Sequence, residues 1–254
     1  MSPLVGRGIV VTRPAAQSGG LAQLIARDGG EALLFPSIAI EPLATRSFQQ
    51  LVSDLDACHI AVFISRNAVE WGARKVLAAR AWPAQTRVAA VGAGTRDALL
   101  ALGFAHVLAP QGQADTEALL SLDEFVQVRG KRVAIFRGEG GREELADRLR
   151  SRGAEVIYAE CYRRALPTTD MQPLLDAWAA GRVHAVCLSS SEGTDNFVRL
   201  LGNASAVLKG VPVFVPHPRV AEHAHRLGLR AVLAAGASDS QMHAAMVAYF
   251  SATG

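Results

Sequence analysis

The chain has 254 residues, of which 50% are hydrophobic and 19% are charged, and its formal net charge is +3. This composition is too apolar for a disordered chain, and the length suits one large domain or two small ones. No segment approaches the roughly 18 to 20 uninterrupted apolar residues of a membrane span, and residues 1–8 lack the apolar core of a signal peptide. We therefore expect a cytoplasmic protein that does not contact a membrane.

Short apolar strands alternate with amphipathic helices along the chain. The first half predicts strands at 8–12, 32–35, 60–64 and 87–91, and the second half at 132–136, 155–158, 185–188 and 213–215. In the helix after the first strand, Leu21, Leu24 and Ile25 recur at helical spacing before the stop at Asp28-Gly29. Further helices are expected through 68–71 and 98–102. Continuous apolar strands between helices predict a parallel sheet that is covered on both faces.

The two halves repeat each other in one register of 124 residues. The anchors are Arg13 with Arg137, Gly29 with Gly153, Ser65 with Ser189, Val91 with Val215, and 112–116 with 236–240. A period this long indicates a duplicated domain, because solenoid repeats are much shorter. We therefore predict two doubly wound domains of about 120 residues each. The repeat alone would divide the chain near Arg129-Gly130.

Polar turns follow six of the predicted strands. In doubly wound sheets, ligands bind at the carboxyl ends of the strands, where helix amino termini present free N–H groups. Guanidinium groups, hydroxyls and backbone donors together favour a ligand with several negative charges, although such turns also cap helices in any protein of this class. The turns are Thr12-Arg13-Pro14, Ser65-Arg66-Asn67, Gly92-Ala93-Gly94-Thr95, 137–142, 189–193 and His217-Pro218-Arg219.

Only three of the 26 basic residues are lysines, namely Lys75, Lys131 and Lys209. A genomic composition bias and the recognition of carboxylates both explain this excess of arginine. The basic residues are scattered and form no stripe with interleaved aromatic residues. Nucleic-acid binding is therefore not predicted.

Named nucleotide and hydrolase motifs are missing. Both candidate dinucleotide fingerprints fail at the third glycine position, which Asp97 occupies in one and Glu143 in the other. The sequence has no Walker motif and no G-x-S-x-G elbow.

Cysteine and histidine spacing predicts no metal site. Cys58, Cys161 and Cys187 are widely spaced, so we expect buried thiols and neither a disulfide framework nor a zinc site. His223 and His225 are two residues apart on a predicted helix and point to different faces, whereas His217 lies in a strand-end turn.

Tyr158 and Tyr162 flank the end of one predicted strand. Strand period places both side chains on one face of the sheet. Such tyrosines are ordinarily packing residues, but a phenol can also deliver a proton to a leaving hydroxyl.

Taken in order, several of these segments resemble the uroporphyrinogen-III synthase family, and the resemblance covers almost the whole chain. They are Thr12-Arg13-Pro14, 63–69, 90–95, Arg137-Gly138 with Gly141-Arg142, Tyr162-Arg163-Arg164, and 216–221 followed by 227–229. The resemblance implies two similar, flavodoxin-like α/β domains with doubly wound parallel sheets, a two-stranded linker and a cleft between the domains. One domain would comprise 1–37 plus 167–254, and the other 38–166.

The resemblance also implies a lyase of tetrapyrrole biosynthesis, on the way to haem, sirohaem or cobalamin, that needs no cofactor. The family closes hydroxymethylbilane, a linear tetrapyrrole with eight carboxylates, into uroporphyrinogen III, with loss of water and inversion of ring D. The substrate would be the only partner, and we expect a monomer.

By resemblance, Tyr162 is the candidate catalytic residue, assisting loss of the hydroxyl group. The candidate substrate-binding residues are Arg13, Ser65, Asn67, Gly92, Thr95, Arg137, Gly138, Arg142, Ser189, Ser190, His217 and Arg219. Two alternatives come from other classes: a hinged two-domain protein that binds an anionic metabolite without chemistry, and a nucleotide-sugar transferase with twin domains.

Overall fold

In the computed structural model, which describes residues 2–111 and 115–253, the chain separates into two compact units. Unit 1 comprises 1–39 and 165–254, and unit 2 comprises 40–164; the resemblance implied 1–37 with 167–254, and 38–166. The division near Arg129-Gly130 is wrong, because these residues lie inside unit 2. The repeat anchor at 112–114 lies outside the described residues.

The strands are short and mostly buried. They are β1 (Gly8–Val11), β2 (Glu31–Leu34), β3 (Ala39–Pro42), β4 (Ile60–Phe63), β5 (Arg87–Ala90), β6 (Val107–Leu108), β7 (Arg132–Gly138), β8 (Glu155–Ala165), β9 (Val183–Cys187), β10 (Pro212–Val215) and β11 (Arg230–Leu233).

Helices follow most of the strands, and in the described part of the chain none is long and apolar enough to cross a membrane. They are α1 (Gly19–Arg27), α2 (Arg46–Ser53), α3 (Arg66–Ala68), α4 (Arg74–Ala79), α5 (Ala93–Ala101), α6 (Thr116–Leu120), α7 (Asp123–Val126), α8 (Glu144–Ser151), α9 (Gln172–Ala179), α10 (Ser191–Leu201), α11 (Pro218–Arg226) and α12 (Asp239–Thr253). Shorter 3-10 turns span Ala15–Gln17, Leu55–Ala57 and Gly202–Gly210, and a π-helical turn, Val69–Ala73, joins α3 to α4.

The two sheets have the same strand order. Unit 1 has the order β11-β10-β9-β1-β2, and unit 2 has β6-β5-β4-β7-β8 with β3 added beside β8. Corresponding strands lie about 124 residues apart, so the duplicated units are circularly permuted relative to each other. This permutation explains why a division near Arg129-Gly130 is wrong. β1 pairs with β9, which lies far along the sequence, so unit 1 contains both ends of the chain; β7 pairs with β4, which keeps unit 2 continuous.

The parallel arrangement predicted from the apolar runs is confirmed. β1 is parallel to β2 and β9, and β4 is parallel to β5 and β7. Every residue of β1, β4 and β10 is buried, because helices cover both faces of each sheet. Within each unit, the carboxyl ends of the parallel strands therefore lie at the same edge of the sheet.

The helix boundaries follow the sequence signals. α1 buries Leu21 and Ile25 and ends at Asp28, and Gly29 adopts a φ of 80° there, which favours glycine. In the π-helical turn, Gly72 lies so close to the sheet that a Cβ atom would come within 2.7 Å of Phe136.

All three cysteines are free and buried, as predicted. Burial raises the pKa of Cys161 and of Cys187 to about 12, and it also raises the pKa of Cys58. The thiols are therefore protonated at neutral pH, which makes them poor nucleophiles and poor metal ligands.

Candidate active site

Each unit gathers its polar turns at one sheet edge. In unit 1 the turns with Arg13, Ser189 and His217 follow the adjacent strands β1, β9 and β10. In unit 2 the polar groups stand at the ends of the adjacent strands β7, β4 and β5: Arg137 lies within the last two residues of β7 itself, where the sequence predicted a turn, and Ser65 and Gly92 follow β4 and β5. The topology thus brings together, within each unit, groups that are far apart in the sequence.

Tyr162 is buried at the unit 2 edge and is hydrogen-bonded to Ser65. The hydroxyl oxygens of the two side chains are 3.0 Å apart, and Tyr162 is only 1% exposed. Ser65 Oγ also accepts a hydrogen bond from the Ala68 amide at 3.1 Å, capping α3. Gly138 lies against the phenol ring, where a Cβ atom would be 2.7 Å from Cε2 and 3.1 Å from the hydroxyl oxygen. Only a glycine leaves room beside this hydroxyl.

The expectation that Tyr158 and Tyr162 share a face of the sheet is wrong. Arg137 of β7 pairs with Glu160 of β8, but the next residue, Gly138, pairs with Tyr162. This bulge inserts one extra residue into β8 and reverses the alternation of side chains beyond it. Tyr162 consequently packs into the apolar cluster around Phe136, whereas Tyr158 packs on the other face, beside Ile135.

Arg137 lies on the Tyr158 face and is 1% exposed. Its Nη1 donates to Glu143 Oε1 at 2.9 Å, and its Nε donates to the Gly138 carbonyl at 3.3 Å. Its Cζ is 4.5 Å from the centre of the Tyr158 ring, a cation–π contact, and Arg150 Cζ is 5.3 Å from the same centre. Among the described residues, Nη2 of Arg137 has no hydrogen-bond partner although it is buried.

The two oxygens of the Glu143 carboxylate have different partners. Oε1 accepts from Arg137, and Oε2 accepts from the Tyr158 hydroxyl. The hydrogen bond from Tyr158, and secondly the one from Arg137, lowers the pKa of Glu143. Burial, reinforced by the bond to Glu143, raises the pKa of Tyr158. At neutral pH the cluster therefore holds a carboxylate, a guanidinium group and a neutral phenol.

Arg13, the counterpart of Arg137 in unit 1, has a different environment. Its Nη1 is paired with Asp239, and its Nη2 donates to the carbonyl of Ala237 at 2.7 Å. Because Asp239 begins α12, this arginine joins the end of β1 to that helix.

Ser190 caps α10, and its Oγ accepts from the Gly193 amide at 3.0 Å. Ser189 beside it is half-buried. His217 and Arg219 are exposed at the start of α11. Their side chains stand at the carboxyl end of β10, where a ligand from solvent can reach them.

The remaining predicted residues belong to unit 2. Thr95 is buried in the first turn of α5, which follows the half-buried Gly92. Asn67 is half-buried in α3, and Arg142 is exposed beside α8. The structure thus brings Tyr162, Ser65 and Gly138 together. Arg137 lies on the opposite face of the same sheet, and Arg142 lies at the surface of its turn.

Two acidic residues at the strand ends were missed by the sequence analysis. The sequence singled out Glu143 only as the residue that stands where a dinucleotide fingerprint needs glycine. Asp239 attracted notice only as part of the repeat anchor at 236–240. An acid five or six residues after a strand-end arginine, at the start of a helix, was the signal for Glu143; the ion pair of Asp239 spans 226 positions and leaves no local signal.

Among the described residues, no three histidine, cysteine or acidic side chains are grouped so that they could hold a metal ion. His223 is instead paired with Asp195, with 2.6 Å between Nε2 and Oδ1.

The fold and the two polar edges define a class: a pair of permuted, doubly wound α/β units whose strand ends carry arginine, serine and histidine side chains. The family model described as "Uroporphyrinogen-III synthase HemD" matches residues 20–244. The uroporphyrinogen-III synthase of Escherichia coli K12 is 34% identical over 72% of this chain and 76% of its own length. That of Proteus mirabilis is 30% identical over 70% of this chain and 91% of its own length.

Solved structures agree on the fold. Uroporphyrinogen-III synthetase from Helicobacter pylori 26695 superposes with a TM-score of 0.62 at 14% identity, over 96% of this chain and 99% of its own. A mutant synthase from the extremely thermophilic bacterium Thermus thermophilus gives 0.61 at 16% identity, over 97% and 98% of the two chains. The chain belongs to the uroporphyrinogen-III synthase family. The relatives support this interpretation and give no support to the metabolite-binding protein or the nucleotide-sugar transferase.

Proposed function

We propose that this chain is a lyase that closes hydroxymethylbilane into uroporphyrinogen III with loss of water. Family membership supports the reaction. The observation that carries the assignment of the site is the Tyr162 hydroxyl at the unit 2 strand edge, 3.0 Å from Ser65 and flanked by a glycine. A group that delivers a proton beside backbone donors suits the loss of a hydroxyl from a polycarboxylate substrate.

In the first step, Tyr162 gives its proton to the hydroxyl of the hydroxymethyl group. The carbon–oxygen bond breaks, water leaves, and an azafulvene cation remains on ring A. Because Ser65 Oγ already accepts from Ala68, its own proton is free to stabilise the resulting phenolate.

The next steps invert ring D. The substituted α-carbon of ring D attacks the cation and forms a carbon–carbon bond, which gives a spiro intermediate. The older bond from this carbon to its methylene group breaks, and the methylene bonds to the free α-carbon of ring D. That carbon loses a proton, which the phenolate of Tyr162 accepts, so the enzyme returns to its starting state. The chain's main task is to hold the rings so that this path outruns direct closure.

The strand-end groups bind the carboxylates of the substrate in this proposal. Arg142, His217 and Arg219 support it by their exposure. The turns of Asn67, Gly92, Thr95, Ser189 and Ser190 supply hydroxyls, amides and backbone donors at the same edges. No cofactor takes part in the steps above.

The test is turnover of hydroxymethylbilane by the purified chain, with chromatographic separation of the type III and type I isomers. We expect type III well above the spontaneous background. Only type I product, formed at the rate without protein, would refute the proposal. The cytoplasmic location and monomeric state stay predictions, which fractionation and size-exclusion chromatography would test.

A further inference from the structure

The guanidinium group of Arg137 is only half used. Nη1 and Nε have acceptors, whereas Nη2, the outer arm of the planar fork, has none among the described residues. A buried donor without a partner is rare in folded proteins and calls for an explanation. The side chain is 1% exposed, so this arm is not solvated in the ordinary way.

Glu143 does not satisfy the unpaired arm in the structure. Two parallel hydrogen bonds to one carboxylate would satisfy Nη1 and Nη2 together. Instead, Oε2 is directed towards the Tyr158 hydroxyl and lies 4.0 Å from Arg150 Nη1, so only Oε1 accepts from Arg137. The Glu143 side chain is itself 54% exposed, so water can solvate its carboxylate when it leaves Arg137.

A turn containing two glycines covers the unpaired arm. A Cβ atom at Gly141 would lie 2.6 Å from Nη2. The neighbouring Gly140 has a φ of 66°, in the region that favours glycine. Gly141 therefore lies directly against the guanidinium group, and backbone movement in this turn would uncover it.

We propose that Glu143 is a built-in competitor that holds Arg137 until a substrate carboxylate replaces it and binds both Nη1 and Nη2. The nature of the incoming anion, one carboxylate of a polycarboxylate tetrapyrrole, rests on the proposed function. Glu143 then turns to solvent with its charge, and Arg137 exchanges one hydrogen bond for two. Glu143 thereby sets how strongly the free protein resists substrate binding.

The competitor is charged under working conditions. The bonds from Tyr158 and Arg137 that lower the pKa of Glu143 keep it ionised at neutral pH. An incoming carboxylate therefore displaces a like charge instead of adding a second one beside Arg137.

The test compares E143Q with E144Q, which removes the same charge from the exposed next residue. For E143Q we expect KM for hydroxymethylbilane to fall about 3- to 10-fold with kcat within about twofold, because binding improves equally in the ground and transition states. E144Q should change KM less than about twofold. The Kd of uroporphyrin III, an octacarboxylate probe, measured by fluorescence quenching should follow KM.

Y158F provides a test with the opposite sign. Phenylalanine keeps the ring under Arg137 but removes the hydroxyl that orients Oε2 of Glu143. The carboxylate can then turn to accept from both Nη1 and Nη2, so KM should rise about 3-fold or more. A purely structural role would move both variants in the same direction. Y158F also serves if E143Q fails to fold.

In an R137K background, E143Q should lose its effect on KM, since the coupling passes through the fork of the guanidinium group. Equal KM values for E143Q and E144Q, or a KM for E143Q above that of the wild type, would overturn the proposal that Glu143 competes with the substrate. The proposed function fails separately, if the wild-type chain makes no type III product whatever these variants do.

Discussion

Arg13 and Arg137 stand at equivalent strand ends of the two units, but their guanidinium groups differ in what they hold. Both outer nitrogens of Arg13 are used, by Asp239 and by the carbonyl of Ala237. Arg137 uses one outer nitrogen on Glu143 and leaves the other buried without a partner among the described residues. The outer nitrogens of Arg13 are both paired within the protein, whereas the Arg137 guanidinium group still has one donor nitrogen that a ligand could pair with.

The residues around the two arginines also differ. The position that corresponds to Tyr162 in unit 1 is Ile38, and the one that corresponds to Glu143 is Gly19. Unit 1 thus repeats the strand order but has no counterpart of the Tyr162 phenol, and the acid that pairs with its arginine comes from α12. Under the proposed function, we therefore expect the acid that acts on the substrate to come from the unit 2 edge.

The largest effect should come from Y162F. Removing the hydroxyl takes away the proton for the leaving group, and such acids contribute roughly 10²- to 10⁴-fold. We expect kcat to fall within that range while KM stays within about threefold.

Y249F is the matched control, because Tyr249 lies on α12 in unit 1 and packs edge-on against Phe214. Its kcat should stay within about twofold of wild type, and both variants should keep their Tm. If Y162F has the same kcat as Y249F, Tyr162 does not supply the proton, and the catalytic role assigned to the unit 2 edge is wrong.

G138A should have the next largest effect. The added methyl group would lie 2.7 Å from the Tyr162 ring and 3.1 Å from its hydroxyl, so the phenol must shift. A displacement near 1 Å at a reacting group can cost about 100-fold in rate, so we expect kcat to fall about 10- to 100-fold.

G19A in unit 1 is the control for G138A, because an added Cβ there meets no atom within 4 Å. It should leave kcat unchanged. If G138A behaves in the same way, the close approach of Gly138 to the phenol has no catalytic meaning.

The two ion pairs should differ in stability. D239N weakens a link that occupies Arg13 fully, and we expect the free energy of unfolding in urea to fall by about 1 to 2 kcal/mol. E143Q should lower it less, because Glu143 is more exposed and Arg137 keeps its stacking on Tyr158. Equal losses would mean that both arginines are structural links of the same kind.

A smaller effect concerns pH. The pKa of Glu143 is lowered in the folded protein from an ordinary value of 4.5, so its stabilising contribution is complete above that value. The contribution disappears as pH falls through the lowered pKa. The difference in Tm between wild type and E143Q should therefore be present at pH 7 and vanish in acid, whereas a constant difference would show that the charge of Glu143 does not matter.

The sequence was enough to predict the parallel sheets, because the continuous apolar runs at β1, β4 and β7 are typical of strands buried on both faces. It did not reveal the permutation, since the pairing of β1 with β9 depends on contacts between distant segments. It also placed Tyr158 and Tyr162 on one face, because the bulge in β8 has no local signature. The unpaired nitrogen of Arg137 depends on how β7, β8 and the start of α8 pack together, and no residue spacing in the sequence predicts that packing.

The most direct test of the account is the isomer composition after a single turnover, with the wild-type chain in excess over hydroxymethylbilane. We expect almost complete conversion to uroporphyrinogen III, faster than spontaneous closure. Type I product appearing at the spontaneous rate would contradict it.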